Sequence, residues 1–407
     1  MTNPNGEFNK NSAEKKSVDD ICARSLVDGL ADNFSSPTDP HSPPIVLSSV
    51  WSCEGTGQAD ALLNGSLDGY VYQRDGHPNA VQFAAACKSL HETEEVAVTS
   101  SGMSAMALAM LSQLKQGDHM VVSDQLYGGS TRLLTDEAAR LGITHTLVDM
   151  CNLDVVRAAV IPATGLVVVE TISNPLVRVV DIPAIADISH NQDALLLVDN
   201  TFATPALCKP LTLGADLVLE SVSKLMNGHS DVMLGMLAGR TEQWDRVPTA
   251  LSVWGLASSP LQCWLANRGL STMHLRIRQC CENAMAAAKY LAQHPRAQNV
   301  QYPGLADHQD YEISQSVLAN GFGHIVTFQV NGGRNAVDQF IGAGSIPFCP
   351  SLGDVMTTMS HPCSTSHRSL TAEQLEPLGL SQSTIRLSIG TESTEYVVNC
   401  IEAALDA

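Results

Sequence analysis

Basic side chains are scarce in this chain of 407 residues. Lysine and arginine together number 23 against 42 aspartates and glutamates, which gives a formal net charge of −19. Such an excess of negative charge opposes binding to nucleic acid or to an anionic membrane surface, because both ligands attract basic patches. We therefore expect neither nucleic acid nor membrane among the partners of this protein.

Long apolar runs are also lacking. No window of the sequence approaches the roughly 18 uninterrupted apolar residues that a membrane-spanning helix needs. The segment from Met1 to Lys16 is polar and lacks the apolar stretch of a secretory signal. We expect a soluble, intracellular protein of the cytoplasm.

The cysteines and histidines follow no recognisable ligand or disulfide pattern. None of the eleven cysteines forms a Cys-x-x-Cys pair, and we interpret the adjacent Cys280 and Cys281 as two residues of a helix rather than a redox device. Scattered free thiols are typical of a reducing compartment. His229, His361 and His367 lack convincing metal spacing, so we expect no metal site.

The distribution of apolar and polar segments predicts three parts. Residues 1 to about 45 are polar and rich in Pro and Ser, which indicates a flexible arm outside the core; we place the arm at 1–60. Residues 61–257 are expected to form a large domain and 258–407 a smaller α+β domain, since the pattern changes after Trp254.

Short apolar segments alternate with helical patterns in the large domain, which predicts βαβ units and an α/β fold with a mostly parallel sheet. The predicted strands are 95–99, 119–123, 144–148, 165–170, 194–199 and 217–221, with helices such as 103–113 and 131–141 between them. The smaller domain is expected to contain a helical stretch at 260–294, strands at 324–330 and 384–389, and a final helix from about Thr394.

A lysine and an aspartate each follow a predicted strand. Lys224 comes shortly after the apolar run 215–219, and Asp199 ends the run Leu-Leu-Leu-Val-Asp. Ligands gather at the carboxyl ends of parallel strands. There a lysine can form a Schiff base with pyridoxal phosphate, while a carboxylate keeps the pyridine nitrogen protonated. The structural alternative is a lysine that ends a strand for solubility.

Two further loops follow predicted strands. Thr-Ser-Ser-Gly102-Met103-Ser leads into a helix and offers free amides and hydroxyls to a phosphate group, although Ser100 or Ser101 could equally be an ordinary helix N-cap. Tyr127, in Leu-Tyr-Gly-Gly, could stack on a pyridine ring and exchange a proton with substrate, or pack at the rim over a glycine turn.

Three more polar groups have two interpretations each. Asn174 could donate its amide to the phenolic oxygen of the ring or belong to an Asn-Pro turn. Arg386 lies in an apolar strand and should meet a carboxylate, either that of a substrate or an internal acid. Tyr72 and Arg74, well before the sheet, could hold a phosphate together or make a loop contact.

Taken together, these motifs resemble the Cys/Met-metabolism family of pyridoxal-phosphate enzymes from about Tyr70 to the C-terminus. The motifs that carry the resemblance are Tyr-x-Arg (72–74), Ser-Ser-Gly-Met (100–103), Tyr-Gly-Gly (127–129), Ser-Asn-Pro (173–175), Val-Asp-Asn-Thr (198–201), Ser-x-Ser-Lys (221–224), Gly-His-Ser-Asp (228–231), Ser-Leu-Gly (351–353) and Arg-Leu-Ser-Ile-Gly (386–390). The resemblance implies the fold-type I architecture and a homotetramer of close dimers that share active sites.

The resemblance also implies a role for each residue. Lys224 holds the cofactor and moves protons, Asp199 pairs with the pyridine nitrogen, and Tyr127 stacks on the ring. The remaining implied roles are phosphate binding by Gly102, Met103, Ser221 and Ser223, joined by Tyr72 and Arg74 of the neighbouring subunit, and binding of the substrate carboxylate by Arg386 with Ser351 and Asn174.

Several positions depart from the family pattern. Ile172, Glu220 and the segment 77–79 stand where the family often has Pro, His and Asn-Pro-Thr, and Gly129 replaces the cysteine typical of methionine γ-lyases. Pro350 stands where cystathionine γ-synthases and γ-lyases usually carry a glutamate that meets the distal amine of cystathionine. We expect a carbon–sulfur lyase of the cystathionine γ-lyase type; the alternatives are methionine γ-lyase and γ-replacement on an acylated homoserine.

Overall fold

The computed structural model describes residues 17–25, 40–368, 372–375 and 379–407. Within these residues the strands form two separate sheets, one of seven strands and one of four. Residues 1–16 and 26–39 of the predicted arm lie outside the described residues.

The seven-stranded sheet confirms the predicted α/β class with a mostly parallel sheet. Its strands run in the spatial order β1-β7-β6-β5-β4-β2-β3. Strands β2 to β6 pair in parallel, whereas β7 is antiparallel to both β1 and β6. The strands are β1 Glu95–Thr99, β2 His119–Ser123, β3 Thr144–Val148, β4 Thr164–Glu170, β5 Leu195–Asp199, β6 Leu217–Glu220 and β7 Gly235–Gly239.

The predicted strands agree with the structure to within a residue, but β7 is missing from the prediction. Its sequence, Gly-Met-Leu-Ala-Gly, begins and ends with glycine, which indicates a turn when the sequence is read alone. Gly235 is needed because a Cβ there would lie 2.2 Å from the backbone oxygen of Ser101. The close approach of the two backbones therefore explains why position 235 is a glycine, the residue type that made this strand look like a turn in the sequence.

Helices pack against the strands of the large sheet. The α-helices are Val18–Arg24, Thr56–Leu63, Pro78–His91, Gly102–Gln113, Gly128–Arg132, Ala138–Arg140, Leu153–Ala159, Ile182–His190, Thr204–Leu207, Val247–Val253, Pro260–Leu270, Met273–Gln293, Tyr311–Val317, Gly333–Gly342, Ala372–Leu375 and Thr394–Asp406. The helix predicted over 131–141 is interrupted by a π-helical turn, Leu133–Glu137, and the stretch predicted over 260–294 is two helices.

The four-stranded sheet is antiparallel and belongs to the C-terminal part of the chain. Its strands are β8 Ala297–Gln301, β9 Ile325–Val330, β10 Thr358–Ser360 and β11 Thr384–Ser388, in the order β10-β11-β9-β8. Its apolar side packs against Met273–Gln293 and Thr394–Asp406. The boundary predicted at 60/61 falls within the helix Thr56–Leu63, and both it and the boundary at 257/258 remain a proposal.

One part of the predicted arm belongs to the core. The helix Val18–Arg24 is capped by Ser17, and its Ile21 and Cys22 are buried among residues of the large core cluster. The prediction that the whole segment before residue 45 lies outside the core is therefore wrong for this helix. Two apolar residues one after the other in a polar segment gave too short a pattern to predict burial.

Cys280 and Cys281 lie in the helix Met273–Gln293 as predicted, and both are buried free thiols. Among the described residues, no helix is both long and apolar enough to cross a membrane.

Candidate active site

The carboxyl ends of β4, β5 and β6 open onto a cavity of about 540 Å³. The start of the helix Gly102–Gln113 and the loop at 349–352 complete its wall. Ten of the residues predicted to bind cofactor or substrate line this one cavity: Gly102, Met103, Tyr127, Asn174, Asp199, Ser221, Ser223, Lys224, Ser351 and Arg386.

Tyr72 and Arg74 do not line this cavity. They border a different one, together with residues of the helix Val247–Val253. The guanidinium carbon of Arg74 lies 5.0 Å from the centroid of the Tyr72 ring, and the Tyr72 side chain is partly exposed. Within a single chain, these two residues are therefore separate from the other ten.

Lys224 lies in the turn that follows β6, where its N–H donates to the carbonyl oxygen of Ser221 at 3.0 Å. Its ammonium donates to Ser351 Oγ at 2.9 Å. Burial lowers the pKa of Lys224, and the nearby Arg386 guanidinium lowers it further. A lysine in these surroundings gives up its proton more readily than one in water.

Gly353 brings the loop of Ser351 against the turn of Lys224. Gly353 has a φ of +81°, and a Cβ at this position would lie 2.7 Å from the backbone nitrogen of Leu225. Only glycine fits both the conformation and the close approach. The Ser-Leu-Gly motif of the C-terminal part thus meets the Ser-x-Ser-Lys motif of the large sheet.

Asp199 is the last residue of β5 and pairs in register with Glu170 at the end of β4. Its Oδ1 accepts hydrogen bonds from the backbone and side chain of Thr201. Burial raises the pKa of Asp199 to about 6 although these hydrogen bonds act in the opposite direction. Two buried carboxyl groups at adjacent strand ends favour a positively charged group beside them.

Glu170 is a site residue that sequence reasoning missed. Its carboxyl oxygens accept the backbone N–H groups of Tyr127 at 2.8 Å and Asn174 at 3.0 Å, so it holds the two loops that carry these residues. Burial, and secondly Asp199, raise its pKa well above the usual range. The sequence did contain a signal for this residue, because Glu170, like Asp199, is an acid at the end of an apolar strand.

The segment Ser101–Met103 forms the start of a helix at the cavity wall. Ser101 caps this helix by accepting the N–H of Ser104 at 3.0 Å, so the N-cap interpretation holds for Ser101. A Cβ on Gly102 would lie 2.7 Å from Ser221 Cβ. The helix start and the loop after β6 therefore approach closely and leave a small cradle beside the positive end of the helix.

Ser223 has partners of its own in this cradle. Its Oγ donates to the carbonyl oxygen of Leu234 at 3.2 Å and accepts the N–H of Leu234 at 3.0 Å. These contacts tie the turn of Lys224 to the segment before β7, so phosphate binding by Ser223 stays a prediction.

Arg386 lies on β11 and is 3% exposed. Its guanidinium donates to Asn174 Oδ1 at 2.8 Å and to the carbonyl oxygen of Ser351 at 3.1 Å. Its Nε is buried without a hydrogen-bond partner, and burial lowers the pKa of Arg386 to about 10. Among the described residues it forms no ion pair, which favours an external carboxylate over the internal acid.

Tyr127 lies on the loop after β2 at the edge of the cavity and is 46% exposed. A Cβ on Gly129 would lie 2.6 Å from Cε1 of its ring. The glycine that departs from the methionine γ-lyase pattern therefore makes room for the observed position of the tyrosine.

The two residues before Ser351 in this loop carry no carboxylate, although Lys224 and Arg386 contact Ser351 itself. Pro350 and Cys349 line the cavity there, and Ile172, Phe202 and Met233 add apolar surface. The acidic and basic side chains of the cavity wall are Glu170, Asp199, Lys224 and Arg386. Within one chain, no described acid occupies the place of the glutamate that Pro350 replaces.

The chain is similar to known proteins over most of its length. A family model described as Cys/Met metabolism PLP-dependent enzyme matches residues 29–406. An L-methionine gamma-lyase from Porphyromonas gingivalis is 35% identical over 89% of this chain and 92% of its own length. A cystathionine gamma-synthase from Mycobacterium bovis is 37% identical over 89% and 91%.

A solved structure shares both the fold and much of the sequence. It is cystathionine gamma synthase from Xanthomonas oryzae in complex with cystathionine, which is 35% identical and has a TM-score of 0.89. The match covers 96% of this chain and 98% of that one.

Proposed function

Because the chain belongs to the Cys/Met metabolism family of PLP-dependent enzymes, we propose that it cleaves the bond at the γ carbon of a sulfur amino acid. Enzymes of this family are carbon–sulfur lyases and synthases that use pyridoxal phosphate. The convergence of Lys224 and Arg386 on Ser351 carries this proposal, because it places a proton-accepting amine beside a binding site for a carboxylate.

The chemistry of the cavity fits pyridoxal phosphate. Asp199, with Glu170 beside it, suits a protonated ring nitrogen, and the start of the helix at Gly102 with Ser221 suits a phosphate. Lys224 would hold the cofactor covalently, and Tyr127 would cover it. When bound, pyridoxal phosphate withdraws electrons from the bonds at the α carbon of an amino acid.

Arg386 orients the substrate. It would bind the α-carboxylate with its free Nε, while Asn174 and the Ser351 carbonyl hold the guanidinium in place. A carboxylate at this position brings the α carbon toward Lys224, whose amine can accept the α proton because burial favours its neutral form. Tyr127, at the edge of the same cavity, would assist proton transfer to the leaving group.

We propose elimination rather than replacement as the main reaction. The uncharged wall at Cys349 and Pro350 offers no charge of this chain to the distal amine of cystathionine. An uncharged substituent such as a methylthio group suits that wall better, because a charged group loses its water there without gaining a partner. Methionine should therefore be cleaved at least as well as cystathionine, consuming water and releasing methanethiol, 2-oxobutanoate and ammonia.

The alternative is γ-replacement on an acylated homoserine, as in the cystathionine γ-synthases among the relatives. An ester group is also uncharged and would fit the same wall. Both reactions lose the γ substituent, a thiol in the elimination and a carboxylic acid in the replacement. Elimination then ends in hydrolysis to a 2-oxo acid and ammonia, whereas replacement ends in the addition of a thiol at the γ carbon, and the residues described above serve both.

One assay distinguishes these activities. The enzyme with cofactor is incubated with L-methionine, L-cystathionine, and O-acetyl- or O-succinyl-homoserine, each with and without cysteine or sulfide. We expect 2-oxobutanoate from methionine or cystathionine without a second substrate. Turnover only in mixtures of an acyl-homoserine with a thiol would reject the lyase, and inertness toward the whole panel would reject both.

We further propose a close homodimer, with a tetramer as its assembly, in which Tyr72 and Arg74 complete the cofactor site of the partner. Both residues lie outside the cavity of their own chain. Exposed apolar side chains such as Leu63, Val81 and Val253 lie in the same region, as expected of a surface that another subunit covers. The eleven free cysteines support a cytoplasmic location.

A further inference from the structure

Three acids end three adjacent strands of the large sheet. Glu170 ends β4, Asp199 ends β5 and Glu220 ends β6. Glu170 and Asp199 pair in register and line the cavity, whereas Asp199 pairs with Leu219 on β6. Because successive side chains point to opposite faces of a strand, Glu220 lies on the far face of the sheet, behind the cavity.

Glu220 is fully buried, and its contacts are incomplete. Its Oε1 accepts the side-chain amide of Asn200 at 3.0 Å and lies 3.7 Å from Nε2 of His91 on the helix Pro78–His91. Its Oε2 and both ring nitrogens of His91 are buried without a hydrogen-bond partner in the described part of the chain. A buried ion pair is stable only when hydrogen bonds satisfy both charged groups, and Glu220 and His91 lack such partners.

The surroundings favour an uncharged pair with the proton on Glu220. Burial raises the pKa of Glu220 well above its usual range, and Asp199 raises it further. Burial also lowers the pKa of His91 to about 3, and the nearby Lys209 ammonium acts in the same direction. Cys87 and Cys208 also face Glu220, and burial raises the pKa of both thiols, so they add no charge.

Asn200 connects Glu220 to the active site. It follows Asp199 directly, and its backbone N–H donates to the carbonyl oxygen of Leu219 at 2.8 Å. Its side-chain oxygen accepts Thr171 Oγ1 at 2.7 Å, while its amide donates to Glu220 and to the carbonyl oxygen of Cys208. One buried side chain thus fixes the ends of β4, β5 and β6 relative to one another.

We propose that Glu220 is a positioning residue of the cofactor site: held uncharged against His91, it anchors the Asn200 amide and thereby fixes Asp199 under the cofactor. The proposal rests on the proposed cofactor site. It explains how a third acid is tolerated behind two others, since an uncharged carboxyl group neither repels Asp199 nor competes with it for the ring nitrogen.

Two substitutions separate the charge of Glu220 from its hydrogen bond. Glu220→Gln keeps an oxygen for Asn200 and stays uncharged, so cofactor affinity should remain within about twofold of the parent protein. Glu220→Met has a similar shape but no acceptor, and the lost buried hydrogen bond should weaken cofactor binding by about tenfold. Glu392→Gln, which alters a glutamate bonded to Thr357 away from this cluster, is the matched control.

The measurements are cofactor affinity, the pH midpoint of the visible band of the bound cofactor, and infrared spectra of the protein without cofactor. We expect Glu220→Gln to keep the midpoint and to lose a protonated-acid carbonyl band, and Glu220→Met to shift the midpoint. Should Glu220→Met fail to fold, Thr171→Val is the substitute. It removes the hydrogen bond that Thr171 donates to the side-chain oxygen of Asn200, and it should weaken cofactor binding in the same way.

Two results would overturn the proposal. One is the loss of an ionised carboxylate band in the infrared spectrum of Glu220→Gln, because it would show that Glu220 is a buried anion in the parent protein. The other is parent-like cofactor affinity and pH midpoint in Glu220→Met or Thr171→Val. If the cofactor measurements agree with expectation but no sulfur amino acid is cleaved, only the proposed reaction fails.

Discussion

Lys224, which is partly buried, and Arg386, which is buried, are two basic side chains in one cavity, and within the described residues neither contacts a carboxylate. Lys224 donates to a hydroxyl, and Arg386 donates to an amide and a backbone carbonyl. Retaining such groups is unfavourable for folding unless a ligand uses them. At the scale of single residues, the site is therefore stabilised less well without its ligands than with them.

Replacing Arg386 by leucine tests the carboxylate site. Hydrogen bonds to a charged group contribute about 1.5–3 kcal/mol, so kcat/KM for the amino-acid substrate should fall roughly 10- to 100-fold. Cofactor affinity, measured by titration, should change little, because Arg386 is proposed to bind the substrate rather than the cofactor. Arg334→Leu, at a half-exposed arginine paired with Asp338, is the control and should keep normal kinetics.

Replacing Asp199 by asparagine tests the ring-nitrogen site through stability. The pKa of Asp199 is raised from 3.8 to about 6, so between these values the folded apoenzyme binds more protons than the unfolded chain. The free energy of unfolding of the apoenzyme should therefore fall as the pH rises from about 4 to about 6, by on the order of 3 kcal/mol at most.

Asp199→Asn should remove that fall and stabilise the apoenzyme at neutral pH, while it weakens cofactor binding. Denaturant unfolding at several pH values measures the first effect. An Asp199→Asn apoenzyme with an unchanged pH dependence of unfolding would contradict the assigned charge; Asp136→Asn, at an exposed aspartate, is the control.

At the scale of elements, strand ends were more predictable than the contacts between them. The apolar runs of β2 to β6 and the residues that follow each run indicated a parallel sheet with a site at its carboxyl edge. Glycine-bounded β7 was missed because its glycines serve backbone contacts made by distant segments. Glu170 was missed as a site residue because its partners, the N–H groups of Tyr127 and Asn174, come from other loops.

The close approach of the helix Gly102–Gln113 to the loop after β6 yields a prediction. Gly102→Ala places a Cβ 2.7 Å from Ser221 Cβ, so one of these segments must shift and the phosphate cradle widens. Cofactor affinity should fall by about tenfold, as for one lost charge-assisted hydrogen bond. Gly342→Ala, where a Cβ meets nothing within 4 Å, is the control; equal affinities in the two variants would argue against the cradle.

At the scale of the whole molecule, the active site joins two sheets and, as proposed, two subunits. The large sheet supplies Lys224 and Asp199, and the small sheet supplies Arg386. The dimer followed from the family resemblance rather than from any pattern along the chain. A single chain places Tyr72 and Arg74 away from the cavity, so only a second copy can explain the roles that the resemblance assigns to them.

Subunit mixing tests this assembly. Arg74→Ala and Lys224→Ala each remove one part of a shared site, so each variant alone should be nearly inactive. Mixed after mild dissociation, they should recover activity of up to about a quarter of the parent level, because a random mixture forms half mixed dimers, each with one complete site. Fully active Arg74→Ala monomers in light-scattering and kinetic measurements would rule out the shared site.

The attachment of pyridoxal phosphate to Lys224 is the central claim, and borohydride reduction followed by peptide mapping tests it most directly. Only eight lysines are present in the chain, and among those that the structure describes, Lys224 is the one that lines the cavity, beside Ser351 and Arg386. Reduction should fix the cofactor to a single peptide that contains Lys224 and should label nothing in Lys224→Ala. Label on another lysine, or none on protein incubated with the cofactor, would contradict the account.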